Sequence, residues 1–340
     1  MNLVGDRRAT LIGFSVALGL LAVIFSVIGI GDVLEAISVA NATVVALMVL
    51  VALTWLFCWG LALRLVLSSM GVRIGIGQAF LTFAAAVFAN NVTPFGQAGG
   101  EPVTAYVISS SSDAEYETGL AAIASVDTLH FVPTIGFAAI GLTYFAGRMT
   151  FGRHLVLASV AVAVLAVAVP VFVYVGWRHR ERVENVVVLL LSPISRAAGR
   201  VFPNLSIPTR VELRTRVQSF FDAIGRVATD GRGLAIALSL SALGWLGVMT
   251  SLWLGLYALG HTVSFAVVLV AVPVASIAGV TPLPGGLGAL DGVLIALLVT
   301  LPGVSAAAAG AAVVLHRSVT YWLPVVLGGA ATGVLTAKRG

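Results

Sequence analysis

Long apolar runs most constrain how this chain can fold. Several of them reach the roughly 20 residues that an α-helix needs to cross about 30 Å of hydrocarbon. Charged residues make up only 10% of the 340 residues, whereas hydrophobic residues make up 59%. In a bilayer, backbone N–H and C=O groups must find partners within the protein, which favours helices. The sequence therefore predicts an all-α polytopic membrane protein.

The apolar runs predict six full membrane spans. These lie at residues 9–31, 42–63, 118–146, 155–177, 233–259 and 305–335. A short loop carrying Asp32 and Glu35 is expected after the first span. Arginines before the first span and after the second place both positions on one side, which the positive-inside rule makes cytoplasmic. We expect both termini in the cytoplasm, and eight crossings is the alternative topology.

Two helix-breaking segments interrupt the apolar sequence in matching positions. The first, residues 93–102, reads TPFGQAGGEP, and the second, residues 281–291, reads TPLPGGLGALD and begins 188 positions later. Matched breaks in two halves of a membrane protein indicate a binding site near the midplane. We therefore predict two re-entrant helical hairpins, giving eight hydrophobic segments in all. The expected units are a single membrane domain over 1–340, inverted repeats at 42–146 and 233–335, and hairpins at 78–112 and 264–302.

A basic segment separates the two repeats. Residues 178–232 contain ten Arg and five acidic residues. Such a segment in a membrane protein is typical of a cytoplasmic surface attracted to anionic lipid, and we expect no nucleic acid. The periodicity predicts amphipathic helices lying at the interface, with Val217, Phe220, Phe221 and Ile224 opposite Arg214, Arg216 and Asp222. Pro193, Pro203 and Pro208 are expected to break this segment into pieces.

Ionisable residues at membrane depth are costly and usually functional. Four such residues are Glu101, Asp127, Asp291 and Arg317. We expect Arg317 to need either a carboxylate or an anionic ligand as its partner. The candidate substrate-binding residues lie in the two breaks and on the spans that face them. They are Asn90, Asn91, Thr93, Gln97, Gly99, Gly100, Glu101, Asp127, His130, Thr281, Gly285, Gly286, Gly288, Asp291, Arg317 and Tyr321.

Structural interpretations of these residues stay open. The four charges can form an internal ion-pair cluster that only locks the two halves together. The glycines can serve turn geometry or close packing as well as ligand approach. His130 lies three residues after Asp127, so the two share a helix face and can pair, but it can also be a satisfied core histidine.

Catalytic motifs are absent from the sequence. There is no phosphate loop, no H-E-x-x-H helix and no G-x-S-x-G elbow. The single cysteine, Cys58, excludes an intrachain disulfide and a Cys-rich metal site. We expect no cofactor, no metal and no enzymatic activity.

Three blocks of sequence resemble the flippase-like family, also called the lysylphosphatidylglycerol synthase transmembrane region. The blocks are Asn90 to Pro94 with Gly99 to Val103 and Ala105-Tyr106; Thr281 to Gly288; and His316 to Pro324 with Gly328. This sequence departs from the family pattern in three places. Thr104 stands where members usually carry an Arg, Asp291 stands where they usually carry a Glu, and Val126-Asp127 stands where they usually carry Glu-Arg.

The resemblance implies lipid handling, because members bind or flip phospholipids or polyprenyl-phosphate-linked lipids. Some members are fused to an aminoacyl-transferase domain, but this chain ends at Gly340 and we expect no fused domain. We therefore expect a lipid translocator that binds an anionic head group between the two hairpins. Alternatives are an accessory subunit that presents lipid to a separate lipid-modifying or glycosyl transferase, a membrane enzyme, and a small-solute or ion transporter.

The high Ala, Val and Arg content with a single Lys is typical of a GC-rich prokaryote. We accordingly expect the plasma membrane of a prokaryote as the location. A homo-oligomer is an open alternative to a monomer.

Overall fold

The computed structural model describes residues 7–93, 96–146, 153–201, 209–279 and 281–337. Within these ranges the chain is helical apart from short turns and contains no β-strand. The helices before residue 150 are α1 (Arg7–Ile28), α2 (Ile30–Ser38), α3 (Ala42–Ser69), α4 (Ile76–Val92), α5 (Gln97–Ser111) and α6 (Tyr116–Ala146). The helices after it are α7 (Arg153–Arg178), α8 (Arg180–Val201), α9 (Arg210–Thr229), α10 (Gly231–Ala258), α11 (Ala266–Ala278), α12 (Ala289–Thr300), α13 (Ala306–Arg317) and α14 (Leu323–Ala337).

The predicted membrane class is confirmed by the length and apolar character of these helices. Four of them can cross a bilayer: α3, α6, α10 and the continuous Ala306–Leu335 run through α13 and α14. The number rises to six if the bent pairs α1–α2 and α7–α8 each count as one span. Many large apolar side chains on α1, α3 and α7 are exposed, as expected for surfaces that face lipid.

The short loop predicted after the first span was wrong. The chain bends by 82° between α1 and α2, and Asp32 and Glu35 lie on α2 rather than in a loop. The bend occurs at Gly29, whose φ of 97° lies in the left-handed region that favours glycine. A side chain at this position would also meet the Asp32 carboxylate. The sequence pattern showed the apolar run but not this turn.

The predicted helix break at Pro193 was also wrong. α8 continues through Pro193 to Val201, so this proline does not end the helix. α8 leaves α7 at 87°, so the two helices are nearly perpendicular. Pro203 and Pro208 lie outside the described residues. α9 has the predicted amphipathic character: Val217 is buried, and the three opposing charged side chains are exposed.

The centre of the fold is an antiparallel pair of long helices, α3 and α10, which form the most extensive helix–helix contact. Asn41 caps the start of α3 and donates its backbone N–H to the Ala258 carbonyl at the end of α10. Asp230 caps the start of α10 and accepts a 2.6 Å hydrogen bond from the Ser69 hydroxyl at the end of α3. α3 extends beyond the predicted 42–63 span to Ser69, and within this extension Arg64 Nε donates a 2.9 Å hydrogen bond to the Ile74 carbonyl.

Two pairs of short helices flank this central pair. α4 and α5 are joined at the first break, and α11 and α12 are joined at the second. α4 packs on α14, and α11 packs on α6, so each pair rests on a long helix of the other half. The contacts are close: Gly328 lies against the Ala84 backbone, and Gly141 lies against Val270. The limits of the two repeats, 42–146 and 233–335, stay a prediction.

Candidate functional site

The two breaks meet at the end of α4. Gly100 packs so tightly on Asn90 that a Cβ atom there would overlap the asparagine side chain. A Cβ atom at Gly285 would lie 3.0 Å from the Asn91 Oδ1 atom. The Tyr321 hydroxyl donates a 3.1 Å hydrogen bond to the Asn91 carbonyl. The adjacent asparagines therefore contact one break each, which places the two glycine segments around one centre.

Glycines at the second break are required by backbone geometry. Gly285, Gly286 and Gly288 have φ values of 54°, 65° and 82°, in the region that favours glycine. A short 3₁₀ turn, Pro284–Gly286, lies within the break. The Gly288 N–H donates a 2.7 Å hydrogen bond to Asp291 Oδ2, which closes the first turn of α12. These observations favour the turn-geometry interpretation of the three glycines.

Arg317 contacts several groups of the second break. Its Nε atom lies 3.0 Å from Asp291 Oδ1, and its Nη2 atom donates a 2.8 Å hydrogen bond to the Gly285 carbonyl. The guanidinium carbon lies 4.7 Å from the centre of the Tyr321 ring. The side chains of Arg317 and Asp291 are 12% and 3% exposed. Nη1 has no partner among the described residues and keeps its two N–H donors for another group.

Two acidic side chains, Glu101 and Asp127, contact each other in the first half of the chain. Their carboxyl groups lie within hydrogen-bonding reach of each other. Asp127 Oδ2 is buried and, as an ionised carboxylate, has no donor in the described part of the chain. The contact is possible because α5 and α6 approach closely, with Gly119 against the Ala105 backbone.

Of the two interpretations of His130, the structure favours a core histidine over a partner of Asp127. Its Nδ1 atom lies 2.7 Å from the Ser241 hydroxyl of α10, and its ring centre lies 4.2 Å from that of Trp59. His316 makes the same kind of contact with Ser251, also on α10, at 2.7 Å. All four of these His and Ser side chains are buried, so the two pairs tie α6 and α13 to the central helix.

Sequence reasoning missed the contacts of both serines. Each serine lies far along the chain from its histidine, by 111 and 65 positions, so no local spacing could have indicated the pair.

Besides Arg317 Nε and Asp291 Oδ1, which lie 3.0 Å apart as an ion pair without forming a hydrogen bond, three polar atoms near the meeting point of the breaks have no hydrogen-bond partner in the described structure. They are Asn90 Oδ1, Asn91 Nδ2 and Thr281 Oγ1, and all three are buried. An unpaired buried polar group costs about 1–3 kcal/mol, so such atoms are suited to a polar ligand or to water. Thr93 is different, since its hydroxyl donates to the Ala89 carbonyl.

The remaining candidates add little to this centre. Gly99 lies in the first turn of α5, and the Gln97 side chain lies outside the described residues, as do Pro94, Phe95 and Val280. Within the ranges that the structure describes, no group of three His, Cys, Asp or Glu side chains could hold a metal ion.

Comparison with known proteins gives the family. The family model described as "Lysylphosphatidylglycerol synthase TM region" matches residues 10–328. Two proteins named UPF0104 membrane protein from Methanothermobacter thermautotrophicus are 25% and 26% identical, over 92% and 95% of this chain and 91% and 92% of their own lengths. A UPF0104 membrane protein of Pyrococcus horikoshii is 22% identical over 80% of this chain and 81% of its own length. The chain is a multi-pass membrane protein that belongs to the lysylphosphatidylglycerol synthase TM region family.

Proposed function

We propose that this protein binds the anionic head group of a phospholipid or polyprenyl-phosphate-linked lipid between its two helical hairpins and moves that lipid between leaflets. The observation that carries the proposal is the position of Arg317. Its guanidinium lies at the second break, is nearly buried, and has an Nη1 group without a partner in the described part of the chain. A guanidinium suits a phosphate because its N–H donors match the phosphate oxygens.

Other groups at the centre complement an anionic head group. The Asn91 Nδ2 and Thr281 Oγ1 donors have no partner among the described residues, and both lie in the segments that meet around Arg317. Hydrogen bonds to charged groups contribute about 1.5–3 kcal/mol each, roughly twice a neutral bond. A bound phosphate would satisfy these donors as well as the guanidinium.

The hairpins would bring this centre to the middle of the membrane. In the proposed arrangement α4–α5 and α11–α12 enter the bilayer from opposite sides as re-entrant hairpins of an inverted repeat. Reciprocal packing of α4 on α14 and α11 on α6 supports it, because an inverted repeat exchanges these two contacts. Non-helical backbone at this depth is tolerated only where it is buried in protein or lines a cavity.

The basic segment would concentrate the substrate. α8 runs at 87° to α7, as a helix lying on a membrane surface would, and α9 exposes Arg210, Arg214 and Arg226. Each basic residue near an anionic leaflet contributes about 1 kcal/mol of attraction. The segment therefore supports the cytoplasmic orientation that we propose for it.

Native mass spectrometry of the detergent-purified protein tests the head-group site. The two variants are Asp291→Asn, which leaves Arg317 without its internal counter-charge, and the double variant Asp291→Asn/Arg317→Gln, which removes both charges. We expect the wild type to retain an anionic lipid. Asp291→Asn should retain more of it, because the lipid head group no longer competes with the Asp291 carboxylate for the guanidinium. The double variant should retain none.

The outcomes separate the alternatives for Arg317. Equal lipid in all three proteins would make the Asp291–Arg317 contact an internal ion pair only and would overturn the head-group site. No specific lipid in any of them would favour a small-solute transporter. Circular dichroism of each variant serves as the control that the helices are intact.

A further inference from the structure

The carboxyl pair Glu101–Asp127 occupies the place in the first half that an ion pair occupies in the second. Asp291 follows Glu101 by 190 positions, and Arg317 follows Asp127 by the same 190 positions. The helices obey this offset too, since α11 begins 190 residues after α4 and α13 begins 190 residues after α6. In the second half the acid contacts a guanidinium, whereas in the first half it contacts another acid.

No cation of the neighbouring helices compensates this pair. Helices α4, α11 and α14 pack around α5 and α6 and contain no Asp, Glu, His, Lys or Arg within their described ranges. α7 and α10 carry their Arg residues only in their terminal turns, and Arg64 of α3 is held by the Ile74 carbonyl. Arg216 of α9 pairs with Glu117, which lies ten residues, about 15 Å, along α6 from Asp127.

The neighbouring histidine makes no hydrogen bond to either acid in the described structure, and its buried Nε2 atom has no hydrogen-bond partner there. His130 Nδ1 contacts the Ser241 hydroxyl, and its ring lies against Trp59. The described surroundings therefore offer the two acids each other and no Lys or Arg side chain.

Two ionised carboxylates in contact repel each other, and the repulsion is large where water is scarce. One hydrogen bond forms between them only if one of them carries a hydrogen atom. Asp127 Oδ2 is buried and accepts no hydrogen bond in the described structure, so it is an oxygen atom that can carry this hydrogen. Carboxylic acid pairs at like-charged sites behave in this way in other proteins.

We propose that Glu101 and Asp127 bind one exchangeable proton between them at neutral pH, which stands in for the Arg317 guanidinium of the second half. Its loss adds one negative charge to the first half of the site. A second step rests on the proposed function. Binding of an anionic head group is linked to this proton, because the deprotonated pair repels an anion. Such linkage changes affinity by about 5- to 150-fold in typical coupled sites.

Infrared difference spectroscopy of the purified protein tests the proton site without any lipid. We expect the wild type at pH 7 to show the C=O stretching band of a protonated carboxylic acid, shifted in D₂O. Asp127→Asn and Glu101→Gln should each abolish it, since the remaining carboxylate then accepts a hydrogen bond from an amide. Asp291→Asn is the matched control and should keep the band.

Asp127→Arg gives an independent test, because it copies the charge arrangement of the second half. We expect this variant to fold, to elute as the wild type does, and to lack the band. A wild type without the band at pH 7, or a band that survives in both amide variants, would overturn the proton site.

The lipid step has its own readout. Native mass spectrometry at pH 6 and pH 8 should show wild-type retention of anionic lipid falling at the higher pH, whereas retention by Asp127→Asn should not change. A band without any retained lipid would keep the proton site and refute the proposed function. Retained lipid without a band would keep the proposed function and refute the proton site. Wild-type retention that does not depend on pH would refute the linkage between the proton and the head group.

Discussion

Removing the charge of Asp291 should destabilise the protein strongly. The Asp291→Asn variant keeps an oxygen that accepts from the Gly288 N–H, so the first turn of α12 retains its cap. It loses the contact between Oδ1 and Arg317 Nε at 3.0 Å. Both side chains are nearly buried, so the guanidinium stays in a poorly hydrated site without a counter-charge. Breaking a buried ion pair from one side costs about 3–5 kcal/mol.

The double variant should cost much less than the sum of the two single variants. Arg317→Gln alone leaves a buried carboxylate and also removes the donor to the Gly285 carbonyl. The two single losses add to about 6–10 kcal/mol. With both charges gone, the main losses are hydrogen bonds, about 2–4 kcal/mol together. The coupling free energy between the two residues should therefore be about 2 kcal/mol or more.

Unfolding of the four proteins in mixed micelles, followed by circular dichroism, measures this coupling. The exposed Glu115 gives a control, because Glu115→Gln should change the free energy of unfolding by less than about 0.5 kcal/mol. Single losses that simply add in the double variant would show that Arg317 is neutralised by something other than Asp291. That result would refute our interpretation of the second break.

Further variants test packing, the contact between halves and pH dependence. Gly100→Ala should lower the free energy of unfolding by about 1–3 kcal/mol, because its Cβ overlaps the opposing asparagine; Gly136→Ala, where no atom lies within 4 Å, should not lower it. Tyr321→Phe removes the hydrogen bond to the end of α4 and should cost about 0.5–1.5 kcal/mol in the same assay. The Ser69 hydroxyl and a backbone N–H hold the pKa of Asp230 below its ordinary value. The carboxylate therefore stabilises the fold above the ordinary Asp range, and this contribution is lost as the pH falls through the lowered pKa. Hydrogen exchange in the first turn of α10, corrected for intrinsic rates, should rise on acidification, and Ser69→Ala should reduce that pH dependence.

Sequence patterns predicted the parts of the fold that depend on hydrophobicity. The long apolar runs gave the long helices because membrane crossing requires about 20 apolar residues. The proline and glycine clusters at residues 93 and 281 marked true helix breaks, since prolines lack a donor and glycines accept positive φ. The charge of Arg317 predicted either a carboxylate or an anionic ligand as its partner, and the structure shows the Asp291 carboxylate.

Features that depend on tertiary contacts could not be predicted. The bend at Gly29 lies within an apolar run, and one glycine there does not distinguish a turn from a packed helix. Asp127 contacts Glu101 rather than His130, because the facing helix α5 brings its acid into reach. The serine partners on α10 have no local signature.

Lipid translocation in reconstituted vesicles tests the central claim most directly. Vesicles carry a head-group-labelled anionic lipid in both leaflets, and an impermeant reductant bleaches only the label in the outer leaflet. We predict near-complete bleaching of the label with wild-type protein. With Asp291→Asn/Arg317→Gln, or with empty vesicles, only about half of the label should be bleached, because the other half stays in the inner leaflet. Wild-type vesicles that bleach no further than empty ones, although the protein is folded and inserted, would contradict lipid translocation by this protein.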